Sequence, residues 1–214
     1  SGITCAISRD SMESTMDALQ LAEAKGLTIV CDINYRKNLW GYGMQPHDVI
    51  YNMMHYSDIV FGDQNEWEVA SGVKHIPFNA LDAGYVINRE AYQEYFRKMH
   101  VLFPKCKKMV MALRNQLASS HHTLTGLLYD AVHDSLYTTK IYDIQPIVDP
   151  MGVGDAFVAG YIHAHQKWTA DNQYCLDFAL SASALKNTIP GDQNLVTEEE
   201  IISNLTSSGG RIQR

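Results

Sequence analysis

Residues Asp149–Ala164 read DPMGVGDAFVAGYIHA. Gly152 and Gly154 flank Val153, an acid follows at Asp155, and an apolar helical pattern begins at once. In open α/β sheets, ligands gather beyond the carboxyl ends of strands, where loops enter helices. A glycine pair at such an entry lets backbone approach a ligand, and the first turn of the helix offers N–H donors without intrahelical partners. The helix is expected to begin at Asp155. Its carboxylate has two physical readings: a side-chain cap for the helix, or a general base that removes a hydroxyl proton beside a bound anion.

Upstream, the pattern is one of helix, glycine and short apolar strand, the repeating unit of a parallel α/β sheet. RDSMESTMDALQLAEAKG places Met12, Met16, Leu19 and Ala22 at helical spacing before Gly26, and the apolar run Leu27–Ile33 follows as a strand. PHDVIYNMMHYS reads as helix, DIVFG as strand, and DQNEWEVASG as a short helix stopped by Gly72. A less regular stretch, VKHIPFNALDAGYVI, precedes a helix near REAYQEYFRKMHVLF and a strand at KMVMAL. TLTGLLYDA and SLYTTKIYDI alternate as a hairpin about a VHD turn. Helices are expected in DAFVAGYIHAHQKW, YCLDFALSASALKN and TEEEIISNL, the last capped by Thr197, and SSGGRIQR reads as a frayed tail. Neither repeats nor a linker interrupt the 214 residues, which points to one domain over 1–214. The opening SGITCAIS reads as the end of a strand, so the chain is expected to begin in mid-fold.

A net charge of -7 argues against nucleic acid or an anionic membrane as a broad-surface partner. No apolar run approaches spanning length, and the N-terminus lacks a basic-then-apolar leader. Cys5, Cys31, Cys106 and Cys175 are widely spaced in apolar company and read as buried free thiols, which points to the reducing cytoplasm. His121 and His122 fall in a polar loop, while His163 and His165 are two apart on a helix; neither pair has ligand spacing for zinc.

DPMGVGDAFVAGYIHA resembles the second signature of the ribokinase-like (PfkB-type) sugar kinases. The resemblance implies a three-layer α/β/α sandwich with a mostly parallel sheet, lacking the N-terminal strands and lid. It implies Asp155 as the base and Gly152, Val153 and Gly154 as the anion hole for a phosphoryl group moving from ATP. FGDQNEWEVASG matches the family's Asn-x-x-Glu element, so that Asn65 and Glu68 would hold Mg2+. DINYRKNLW is similar to the substrate loop of the 2-keto-3-deoxygluconate kinases within that family, which implies Asn34, Tyr35 and Arg36 as substrate-binding residues. MALRNQ would bring Arg114 to the nucleotide phosphates or the substrate. ASALKNTIPGDQN would line the adenine side of an ATP cleft through Ala184, Asn187 and Asn194, with Asn65 and Gly154 also on the nucleotide.

Pro150, Met151 and Val153 depart from the family's usual wording, and Pro150 removes a donor just outside the anion hole. The implied activity is ATP-dependent phosphorylation of the primary hydroxyl of 2-keto-3-deoxygluconate. Two alternatives stay open: a nucleotide-binding remnant without turnover, and fructokinase or ribokinase specificity. The partners implied are a sugar acid and ATP. An unpaired sheet edge is expected to meet a second copy, as a homo-oligomer, or an N-terminal portion that carries the absent strands.

Overall fold

The computed structural model describes residues 1–78 and 85–206. Along the chain run α1 (Gly2–Ile7), α2 (Arg9–Ala24), β1 (Val30–Asp32), α3 (Pro46–His55), β2 (Ile59–Phe61), α4 (Gln64–Ser71) and α5 (Arg89–Leu102). There follow β3 (Lys108–Ala118), β4 (His121–Asp130), β5 (Ser135–Thr138), β6 (Tyr142–Ile144), α6 (Val153–Lys167), α7 (Asn172–Lys186) and α8 (Glu198–Thr206). The strand order is β1-β2-β3-β4-β5, with β6 paired to β4. β1 and β2 pair in parallel with Val30 opposite Ile59, and β2 and β3 do so with Ile59 opposite Lys108. β4 and β6 pair antiparallel, His122 opposite Ile144.

The residues fall into two compact units interleaved along the chain. The first comprises Ser1–Pro77, Asn88–Met111 and Tyr129–Leu136. Its strand β2 is buried at every position, as a strand between two parallel neighbours must be. Ile50, Met53, Met54, Trp67 and Phe96 are fully out of solvent around it. Truncating a side chain of that size to alanine in such a core costs about 2–5 kcal/mol. The second unit holds Ala112–Leu128 and Tyr137 onward. There α7 is buried along most of its length, from Cys175 to Lys186. An added Cβ on Gly160 of α6 would lie 3.0 Å from the Ala182 Cβ, so small residues set how closely these two helices pack.

Several sequence expectations change. SGITCAIS is not the end of a strand but helix α1, although Ile3 and Thr4 are β-branched. Tertiary packing overrides the propensity: Cys5 and Ala6 are buried, and a Cβ on Gly2 would fall 2.0 Å from the Ile33 carbonyl oxygen. The strand expected over Leu27–Ile33 shortens to Val30–Asp32. His121 and His122 open β4 rather than lying in a loop, because β3 continues past KMVMAL to Ala118 and turns back at once. SLYTTKIYDI divides into β5 and β6, and β6 leaves β5 to pair with β4. Thr197 caps α8 as expected, its hydroxyl accepting from the Glu200 N–H at 3.2 Å. The four cysteines are buried and free. No described helix is long and apolar enough to cross a membrane. The tail reading for residues 207–214 lies outside the described residues, as does part of the irregular stretch, residues 79–84.

Candidate functional site

In the second unit, α6 begins two residues before the expected Asp155. Gly152 is its N-cap, in the left-handed region at φ 71°, and no side chain caps the helix. Asp155 is therefore the third helical residue, and the cap reading falls away. Its carboxylate is exposed and makes no hydrogen bond or ion pair among the described residues. The first intrahelical bond there is from the Ala156 N–H to the Gly152 carbonyl at 2.8 Å. The amides before it belong to the unpaired first turn, where the helix dipole favours negative charge.

The loop that leads into α6 is fixed from several directions. Asp149 accepts from the Met151 N–H at 2.9 Å and from the Gly191 N–H at 2.8 Å. Those two donors, Met151 first, hold its carboxyl below the ordinary aspartate range. The Asn187 carbonyl accepts from the Val148 N–H at 2.8 Å. A Cβ on Gly152 would lie 2.2 Å from the Asp192 carbonyl oxygen, so this position excludes any side chain. Gly154 differs: nothing lies within 4 Å of an added Cβ. Fold packing demands glycine at 152 and leaves 154 open.

Of the residues implied on the nucleotide side, Ala184 is fully buried in α7 and Asn187 nearly so, its amide donating to the Ser183 carbonyl at 2.9 Å. Asn187 thus meets the loop that leads into α6 through its main chain. Asn194 is exposed and accepts from the Val196 N–H at 3.1 Å. Arg114 stands exposed on β3 without a hydrogen bond or ion pair among the described residues. Burial, and next the Arg114 charge, hold the His122 imidazole below its ordinary value.

In the first unit, the Asn34 N–H donates to Asp32 Oδ1 at 3.2 Å just beyond β1, and Asn34 takes a left-handed φ of 41°. Arg36 donates through Nη1 to the Tyr35 carbonyl at 2.9 Å. The two halves of the Asn-x-x-Glu element diverge. Asn65 is exposed and without a partner among the described residues. Glu68 Oε2 pairs with His75 Nδ1 at 2.6 Å, and the hydrogen bonds from His75 hold its carboxyl below the ordinary glutamate range. Among the described residues no cluster of three or more His, Cys, Asp or Glu could cage a metal. Magnesium does not require one, because it keeps several waters and takes one or two carboxylates plus substrate phosphates. Asn65 and Glu68 Oε1 fit that sparse donor set.

Sequence reasoning missed Glu66, which sits between those two residues. Its Oε2 accepts from the Asp63 N–H at 2.8 Å and Asp63 Oδ1 accepts from the Glu66 N–H at 2.9 Å, a reciprocal cap on α4. Burial, and next the neighbouring Asp63, push its carboxyl up to about 7. The Asp-x-x-Glu spacing was a legible signal for the cap, though not for any further contact.

No family model matches the chain. Over its whole length it is 26% identical to the 2-dehydro-3-deoxygalactonokinase of Haloferax volcanii, and it spans 58% of that protein. A PfkB family carbohydrate kinase from Listeria grayi superposes on 96% of the chain with a TM-score of 0.81, at 24% identity and over 58% of its own length. The chain has the ribokinase-like fold. The 2-dehydro-3-deoxygluconokinase of Thermotoga maritima matches 89% of the ribokinase-like chain with a TM-score of 0.75 and 29% identity, over 54% of that protein. The ribokinase of Arabidopsis thaliana, solved with ribose and ATP, shares the fold over 92% of the chain at a TM-score of 0.60 and 17% identity, over 53% of its own length.

Proposed function

We propose that the chain carries out ATP-dependent phosphorylation of a primary hydroxyl on 2-keto-3-deoxygluconate. The observation that carries this reading is the state of Asp155: a solvent-facing carboxylate without a protein partner, in the first turn of a helix with free amides. Among the described residues the carboxylate is engaged in neither a cap nor an ion pair and so is available to a ligand. The Asp155 carboxylate takes the proton of the attacking alcohol as the new O–P bond forms. The bond from the γ-phosphorus to its bridging oxygen breaks and ADP leaves. The amides of 152–154 hold the charge on the transferring group, which suits a reaction that depends mainly on positioning and charge stabilisation.

Arg114 supplies an uncommitted cation for the nucleotide phosphates. Arg36 offers its planar fork to the sugar-acid carboxylate, with Asn34 and Tyr35 beside it. Asn65 and Glu68 would hold Mg2+, which when bound offsets phosphate charge. Four buried free cysteines support a cytoplasmic setting. Support for the substrate class comes from the names of the Haloferax and Thermotoga relatives.

The test is Asp155→Asn. Turnover is expected to fall by about 10²–10⁴-fold, the usual worth of a positioned base, while ATP binding by calorimetry persists. Undiminished turnover would end the base assignment. Because the Haloferax relative is named for the galacto epimer, 2-keto-3-deoxygalactonate is the second substrate to assay. A kcat/KM for it above that for the gluco epimer would replace the first assignment.

A further inference from the structure

The Glu66 carboxylate does more than cap α4. A reciprocal cap needs only one carboxylate oxygen, and Oε2 fills that part through the Asp63 N–H. The other oxygen, Oε1, accepts from the Tyr35 N–H at 3.0 Å, a residue 31 positions earlier in the chain. The same oxygen lies 3.5 Å from Arg36 Nη1, with the glutamate side chain 15% exposed and the arginine 53%. Nη1 is further engaged by the Tyr35 carbonyl. The Nε and Nη2 edge of Arg36 has no partner among the described residues.

We propose that Glu66 is the positioning residue of the loop Asn34–Arg36, pinning the Tyr35 amide and one nitrogen of Arg36 so that the Nε–Nη2 edge is presented to a substrate carboxylate. A guanidinium is planar and rigid. Fixing one nitrogen and the backbone beside it sets the plane of the whole group, and the opposite edge then matches two carboxylate oxygens. Asn34, left-handed and tied back to Asp32, holds the loop from its other end. The substrate half of this inference rests on the kinase reading; the anchoring half does not.

Simple charge bookkeeping predicts the opposite sign. If Glu66 only neutralised Arg36, removing it would strengthen anion binding. Positioning predicts that binding weakens. Glu66→Ala is expected to raise KM for the keto-deoxy sugar acid about tenfold, with kcat within about threefold and KM for ATP unchanged. Glu66→Gln keeps an oxygen for the Tyr35 N–H and is expected to stay within about threefold of the parent. A lower or unchanged KM in Glu66→Ala, or equal rises for sugar acid and ATP, would overturn the proposal. Should Glu66→Ala fail to fold, Glu66→Asp carries the same expectation, since it keeps the charge but is one methylene too short for both links.

Backbone hydrogen exchange separates this inference from the kinase reading. The Tyr35 amide is expected to exchange about tenfold faster or more in Glu66→Ala than in the parent, and near the parent rate in Glu66→Gln. Unchanged exchange in Glu66→Ala overturns the anchor whatever the assay shows. If the unmutated protein phosphorylates no sugar acid, the kinase reading fails, and the exchange rates alone decide whether Glu66 holds the loop.

Discussion

At the scale of single residues, the two glycines of GVGD do different work. Gly152 sits at φ 71° with the Asp192 carbonyl where a Cβ would go. Gly152→Ala is expected to destabilise by at least about 2 kcal/mol, from backbone strain and the clash together. Gly154 is helical and open around its Cα. Gly154→Ala is expected to keep parental stability within about 1 kcal/mol, because alanine is the better helix former. Turnover should nevertheless fall, since a methyl group then stands where backbone would approach a ligand. Thermal melts and steady-state rates on the pair check both statements. A Gly154→Ala variant with full activity would show that nothing closes on that face of the loop. The glycine pattern was legible in the sequence; the difference between its two members was not, because it depends on Asp192, forty residues on.

Elements carry their own electrostatics. The hairpin turn between β4 and β5 is closed by Asp130, nearly out of solvent, which accepts from Lys108 Nζ at 3.2 Å, His133 Nδ1 at 2.8 Å and the Val132 N–H at 3.0 Å. Asp130→Ala removes the shared acceptor of three donors and is expected to cost about 1–3 kcal/mol in a denaturant titration, the usual penalty for losing a buried hydrogen-bonding group. A loss below about 1 kcal/mol would put Asp130 in the class of surface pairs.

On α7, burial raises the Asp177 carboxyl above the ordinary aspartate range, while the Gln173 amide at 3.1 Å partly offsets this. A raised folded-state value means the native state binds the extra proton. Stability from this group is full below the unfolded-state value and is lost as pH rises through the raised one. Asp177→Asn is therefore expected to melt higher than the parent at pH 7, with the gap closing on acidification toward the ordinary range. A gap that stays constant with pH would rule out the ionisation as its cause.

For the molecule as a whole, the nucleotide reading predicts linkage. ATP at a hundred times its Kd should stabilise the native state by about 2.7 kcal/mol. An unchanged melting temperature at millimolar ATP would remove the nucleotide from the proposal. Comparing turnover with ATP binding on the same chain separates an active kinase from a binding remnant.

Sequence by itself determined the alternation of helix and strand, the turn at VHD, the caps at Gly72 and Thr197, and the family wording around Asp155. Each of these is local: periodicity, turn chemistry and short motifs act within a few residues. Only tertiary structure decided that SGITCAIS is helical, since that follows from packing against Ile33. It also decided that α6 starts at Val153, leaving Asp155 uncapped and unpaired, and that Glu66 reaches the Tyr35 amide. Those outcomes depend on which distant groups arrive within hydrogen-bond range, and distance in space is what a linear pattern does not encode.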